Sequence, residues 1–268
     1  VFHGHTGDVA CDHYHRWRED VALMKDLGVK AYRMSLSWPR MIPAGTGKVN
    51  PKGIAFYDNV IDTLLEAGIQ PWITLFHWDY PYELYLRGGW LNPDSPSWFA
   101  DYVRVTVDAF SDRVHCWATH NEPQCFIMLG HESGYHAPGL KLPMSEVLQA
   151  GHHALLAHGK AVQVIRAHAK KPARITLSPA GHATAPATDR PEDIAAARAV
   201  FEGTLPQDRW SVAWWLDPIY FGAYPGGLMK SFGADAPRIN AGDMETINQP
   251  LDFCGVNIYT ARLVRAGA

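Results

Sequence analysis

Helix-like and strand-like segments alternate along this 268-residue chain, and no turn between successive strands reads as a hairpin. That order constrains the fold more than any other feature, because strands joined through helices lie parallel and cross over with one hand. The spacing predicts a first helix over "DHYHRWREDVALMKDLG", with Asp12 as its cap and Gly28 after its end. Its apolar residues Val21, Leu23, Met24 and Leu27 are expected on one face. A strand follows from Val29 to Leu36, then a helix with Pro51 near its start and Gly68 after its end. The pattern repeats with the strand "IQPWITLFHWD", the helix "SPSWFADYVRVTVDAFSD" and the strand in "VHCWATHN". A long helix is expected near Ser145–Ala169, a fourth strand over "ARITLSPAG", helical segments near Glu192–Glu202 and Gln207–Phe221, and a fifth strand over "LDFCGVNIYT".

Two architectures fit such an order: a (β/α)8 barrel and a doubly wound sheet. A dinucleotide-binding doubly wound fold calls for Gly-x-Gly-x-x-Gly after its first strand, and none stands there. The strands end instead in polar or aromatic clusters, "SLSW", "LFHWD", "THNEP", "LSPAG" and "NIYT". Side chains at the carboxyl ends of several strands are what a barrel enzyme requires. Five strands occupy all 268 residues, so eight at this spacing need well over roughly 400. The chain is therefore expected to be a single partial barrel domain over residues 1–268.

Composition narrows the partners. A formal net charge of −3 gives no basic field for nucleic acid, and no apolar run is long enough for a bilayer, so neither is expected as a partner. The four cysteines, Cys11, Cys116, Cys125 and Cys254, are far apart and read as reduced thiols of a cytoplasmic protein. "VFHGHTGD" has neither the basic flank nor the apolar stretch of a signal peptide, and the chain is expected to be cut at its beginning. Ten Trp and eleven Tyr suit a large aromatic core or platforms for sugar rings.

In "VHCWATHNEPQCF" an apolar run ends in Glu122, between Asn121 and Pro123. A carboxylate beside a buried strand is costly unless its charge or proton is used. Pro123 stops the strand and stiffens the backbone that carries it. A cap for the following segment and a proton donor both fit. Cys11, His13 and His15 form a Cys-x-His-x-His string that suits metal ligands, yet no apolar strand precedes them and they introduce a helix. Neither a metal nor another cofactor is expected.

"NEP", taken with "HWD", "RMSLSWPR", "GVNIYT", "GTGKVNPKGIAFYDNVID", "RGGWLN" and "HAPG", resembles glycoside hydrolase family 1, the β-glucosidase family, over nearly the whole chain. The resemblance implies a (β/α)8 barrel, here its second to sixth strands, and hydrolysis of a small β-glycoside with retention by two glutamates. It makes Glu122 the acid/base and Asn121 a donor to the sugar 2-hydroxyl. His77 and Trp78 match the family's sugar-binding His-Trp, and Asn257 is a neighbouring pocket residue. Arg33 and Tyr259 match the residues that support the nucleophilic glutamate. That nucleophile belongs to a Glu-Asn-Gly motif, which does not occur in these 268 residues. A β-glucosidase-type enzyme represented by an incomplete chain, an inactive sugar-binding relative, and a metal-dependent barrel hydrolase all stand as readings. Tyr80-Pro81-Tyr82, Gln124 and Ile258 depart from the family pattern on the side that meets the leaving group.

Overall fold

Four strands pair edge to edge in chain order, all parallel: β1 (Ala31–Ser35), β2 (Gln70–Phe76), β3 (Cys116–Asn121) and β4 (Arg174–Ser178). The computed structural model describes residues 4–202 and 209–267. Because the strands run the same way, Ser35, Phe76, Asn121 and Ser178 all end on one rim. Helices α1 (His13–Asp26), α3 (Pro51–Glu66), α5 (Ser95–Phe110) and α6 (Met144–His168) precede or link the strands, with short helices α2 (Trp38–Met41) and α4 (Tyr82–Leu86) in the loops. Asn50 caps α3, its side chain accepting from the Lys52 N–H at 3.2 Å, and Pro51 occupies the first turn, where no helical N–H is lost.

The fourth strand differs from its expected form. Pro179 has no N–H to give a ladder, so β4 stops at Ser178 and a separate strand β5 runs over Ala180–Pro186. Helices α7 (Pro191–Glu202), α8 (Val212–Tyr220), α9 (Gly226–Phe232) and α10 (Asp243–Ile247) lead on to β6 (Asn257–Val264), which pairs in parallel with β5. The second helical segment was expected from Gln207. Gln207 and Asp208 lie outside the described residues, and α8 starts where the Ser211 hydroxyl accepts from the Ala213 and Trp214 N–H groups.

The last strand also begins later than "LDFCGVNIYT" suggests. Asp252 accepts the Ile175 N–H at 2.7 Å, and the Thr176 hydroxyl accepts from the Gly255 N–H at 2.9 Å. Side chains thus occupy positions that a ladder would need, and regular pairing starts only at Asn257. In α1 the buried stripe is Trp17 and Val21 with Met24 beside it, whereas Leu23 and Leu27 are exposed. The expected face merged two directions whose centres lie roughly 100° apart around a helix. Asp12 sits at the cap position but in the left-handed region (φ 53°), and its carboxylate meets His15 Nδ1 rather than a backbone N–H.

The interior is aromatic. Trp38, Phe76, Trp90, Phe99, Tyr102 and Phe126 are buried around His120, with Phe76 and Phe126 edge to face at 4.9 Å. Helix α6 carries His152, His153 and His158 into this core, each with a hydrogen-bond partner. Among the described residues no helix is long and apolar enough to cross a membrane.

Candidate active site

Glu122 stands one residue beyond β3, at the rim where the parallel strands end. Its backbone is left-handed (φ 48°), a conformation that costs on the order of 1–3 kcal/mol for a residue with a side chain. Two main-chain bonds hold it there: its N–H donates to Ser178 O at 2.7 Å, and its carbonyl accepts from the Cys125 N–H at 2.9 Å. The side chain is turned inward and only 6% exposed. Oε1 accepts from Asn257 Nδ2 at 2.7 Å and from the Tyr259 hydroxyl at 3.3 Å. Cys125 follows in the same turn. Burial, then its hydrogen bond to Glu122 and that carboxylate's charge, push its thiol up to about 12, so it stays protonated beside the carboxylate.

Arg33 enters from β1. Its Nε donates to the Thr74 hydroxyl at 3.0 Å and its Nη2 to Asn121 Oδ1 at 2.7 Å. Asn121, 2% exposed, also accepts from Asn257 Nδ2 at 3.0 Å, and its backbone carbonyl accepts from the Trp78 indole N–H at 2.8 Å. Trp78, like Glu122, is left-handed (φ 88°), which swings its ring off the end of β2. His77 faces both Arg33 and Glu122. Desolvation and the Arg33 charge lower its pKa, against the smaller opposing pull of Glu122, so its imidazole is neutral near pH 7. A cavity of about 300 Å³ opens from Arg33 and His77 towards Arg40 and Tyr57, and one of about 190 Å³ runs from Arg33 and Asn257 into the barrel interior.

The seven residues that the family resemblance assigned to the site thus lie together, Asn257 and Tyr259 bonded to Glu122, Arg33 and Trp78 to Asn121, and His77 facing Arg33 and Glu122. Residues 1–268 match Glycosyl hydrolase family 1 over their whole length.

The chain belongs to glycosyl hydrolase family 1.

It is 45% identical over 265 residues to the 1,4-beta-D-glucan glucohydrolase of Thermotoga neapolitana, covering 99% of this chain and 60% of that protein. It is 43% identical to beta-glucosidase A of Thermotoga maritima, covering 99% of this chain and 58% of the relative. The solved family 1 β-glucosidase from Thermotoga maritima superposes with a TM-score of 0.88 at 43% identity, covering 98% of this chain and 57% of that one. The same enzyme has been solved in complex with noeuromycin. The chain spans about three fifths of the length of these relatives, and its fold is part of their (β/α)8 barrel.

Within this family 1 chain, sequence reasoning missed the supports rather than the site. Thr74, a lone hydroxyl in the apolar run "WITLF", anchors Arg33, and that interruption was its signal. Ser178 acts through its backbone carbonyl, which no side-chain motif reveals. The Cys11, His13 and His15 string does not converge. His13 Nδ1 meets Asp20 at 2.9 Å, His15 Nδ1 meets Asp12 at 2.6 Å, and Cys11 is exposed. Among the described residues no three His, Cys, Asp or Glu side chains form a metal-ligating group.

Proposed function

We propose that the protein carrying this chain is a retaining β-glycosidase of the β-glucosidase type, acting on terminal β-D-glucosyl or related residues through a two-glutamate double displacement. Glu122 is the acid/base. It protonates the departing glycosidic oxygen and then deprotonates the water that releases the sugar. The observation that carries this reading is a nearly buried carboxylate on a strained backbone, oriented by an amide and a phenol at the rim of a family 1 barrel. Such strain persists only where surrounding structure enforces it, and it clusters at functional sites.

The neighbours take roles consistent with their free atoms. Asn121 has its oxygen committed to Arg33 and Asn257, so its Nδ2 is left to donate to the sugar 2-hydroxyl. Neutral His77 exchanges a hydrogen bond with a sugar hydroxyl, and Trp78 offers a ring face. Arg33 and Tyr259 are assigned to the nucleophile as well, which a Glu-Asn-Gly outside these 268 residues supplies. The substrate is a small β-glycoside or oligosaccharide, and neither nucleic acid nor a membrane is proposed as a partner, in keeping with a net charge of −3. The cytoplasmic expectation belongs to the same reading and rests on the four free cysteines.

Replacement of Glu122 by Gln in the intact protein tests the assignment. Turnover of alkyl β-glucosides should fall by about 10²–10⁴-fold, aryl glucosides with acidic leaving groups should suffer less, and azide should restore their turnover. Near-normal hydrolysis of a poor leaving group would remove Glu122 from this role. The 268-residue chain alone should neither hydrolyse β-glucosides nor take a covalent label from a 2-fluoro glycosyl fluoride, since retention needs a second carboxyl about 5–5.5 Å away.

A further inference from the structure

The amide of Asn257, the first residue of β6, joins the other polar groups of the site. Its nitrogen carries two hydrogens, one directed at Asn121 Oδ1 (3.0 Å) and one at Glu122 Oε1 (2.7 Å). The sense of these bonds is fixed from Arg33 outward. A guanidinium has donors only, so the 2.7 Å contact from Arg33 Nη2 requires Asn121 to present its oxygen. That oxygen in turn requires Asn257 to present its nitrogen, whose second hydrogen then meets Glu122. Flipping Asn121 would set donor against donor at Arg33 and Asn257, and flipping Asn257 would set acceptor against acceptor at Asn121 and Glu122. The hub is anchored by the fold, because the Asn257 N–H donates to Pro179 O at 2.9 Å across the β4–β5 break.

Glu122 Oε1 therefore faces two donors, the Asn257 amide and the Tyr259 hydroxyl. A proton on that oxygen would point at a hydrogen already there. We infer that Asn257 is a positioning residue for the acid/base: its amide occupies Glu122 Oε1 and so keeps the transferable proton on Oε2. This rests on the acid/base reading of Glu122 and adds to it which oxygen works and what selects it. Once Glu122 has given up its proton, the same amide continues to donate to Oε1 of the carboxylate. The titratable and charged groups facing Glu122 are Arg33 on β1, His77 beyond β2, Cys125 in the following turn and Tyr259 on β6. All four are kept intact in the test.

In the intact protein, Asn257→Ala should lower kcat/KM for alkyl β-glucosides by about 10–100-fold and change it less than about threefold for a dinitrophenyl-type leaving group, which needs little protonation. The alkaline limb of the kcat/KM profile should move to higher pH, since loss of a donor favours the protonated acid. Asn257→Asp keeps the shape, removes the donor and adds a like charge, so it should move that limb further in the same direction. It also carries the test if the alanine variant does not fold. Equal losses on both substrate classes with an unmoved limb, or a rise in KM alone, would overturn the proposal. A crippled Glu122→Gln beside an indifferent Asn257→Ala overturns this inference and leaves the acid/base reading standing. An active Glu122→Gln removes both.

Discussion

β3 and β6 meet at Glu122, yet they are held in opposite ways. Every residue of β3 is buried, with β2 and β4 on its edges and α6 against it. Residues Ile258–Leu263 of β6 are exposed, and β5 is its paired strand. Glu122 is therefore placed by packing that would have to be dismantled to move it. Asn257 and Tyr259 are placed by hydrogen bonds at the start of a strand whose faces are open. One half of the site is rigid because of its core; the other is directed by a few polar contacts. Substitutions in the two regions should differ in size accordingly.

The largest effect is expected behind β3. Phe99 is fully buried, with its ring 4.7 Å from His120 and 5.5 Å from Trp38. Phe99→Ala should cost about 3–5 kcal/mol in urea unfolding, the transfer loss plus the cavity left among rings that cannot collapse into it. A cost below about 1 kcal/mol would mean that this region is no better packed than β6.

Acid should act on the same region next. His120 and His158 are fully buried, and desolvation lowers both to about 3 from an ordinary value of 6.5, with the Ala154 carbonyl opposing it for His120. Above pH 6.5 neither the folded nor the unfolded chain protonates them, so their contribution to stability is complete. As pH falls below 6.5 the unfolded chain gains protons that the folded chain refuses. Stability should then drop by about 1.4 kcal/mol per pH unit for each histidine until pH reaches about 3. Unfolding midpoints between pH 7 and 5 measure this, and a His120→Gln variant should show a shallower slope.

Much of this contrast was legible in the sequence, for physical reasons. "NEP" and "HWD" mark strand ends because short apolar runs there turn polar, whereas the burial of Thr119, His120 and Asn121 at the end of β3 is set by packing and not by apolar character. Pro179 was visible, but its effect was not: whether a proline breaks a ladder depends on the neighbour its missing N–H would have met. Leu23 and Leu27 are apolar without being buried, a difference that burial and not periodicity settles. The start of β6 was misplaced because Asp252, 77 residues beyond Ile175 along the chain, supplies the acceptor that a strand would have supplied. No local pattern carries a contact at that separation. The chain of hydrogen bonds that links Arg33 through Asn121 and Asn257 to Glu122 was likewise invisible, although each residue had been singled out.

That side-chain brace gives an intermediate effect. Asp252 Oδ2 accepts from the Ile175 N–H at 2.7 Å and from Arg166 Nη2 at 2.5 Å, tying the approach to β6 onto β4. Asp252→Ala leaves the Ile175 N–H without its acceptor and should cost about 1–3 kcal/mol. Hydrogen exchange at the Ile175 amide should rise by a larger factor than at Trp117, inside β3. Equal protection at both would show that the ladder, and not this carboxylate, holds the edge.

The smallest effect is expected on β6 itself. Leu263 is 80% exposed and lies opposite Ala185 of β5. Its side chain contributes little buried apolar area in the 268-residue chain, so the transfer and cavity terms that make Phe99 costly have nothing to act on. Threonine brings a β-branched shape that suits a strand, which offsets the small reduction in packing. Leu263→Thr in this chain should therefore leave stability within about 0.5 kcal/mol, whereas Leu177→Ala on β4, 1% exposed, should cost about 2–5 kcal/mol. The relatives extend well beyond the span matched here, and repeating Leu263→Thr in the intact protein turns the same substitution into a probe of what lies over β6. A cost that stays near zero there would leave β6 open and Asn257 held by hydrogen bonds alone. A cost that rises to about 2 kcal/mol would show the strand covered, and the contrast between the two halves of the site would then belong to the 268 residues rather than to the whole barrel.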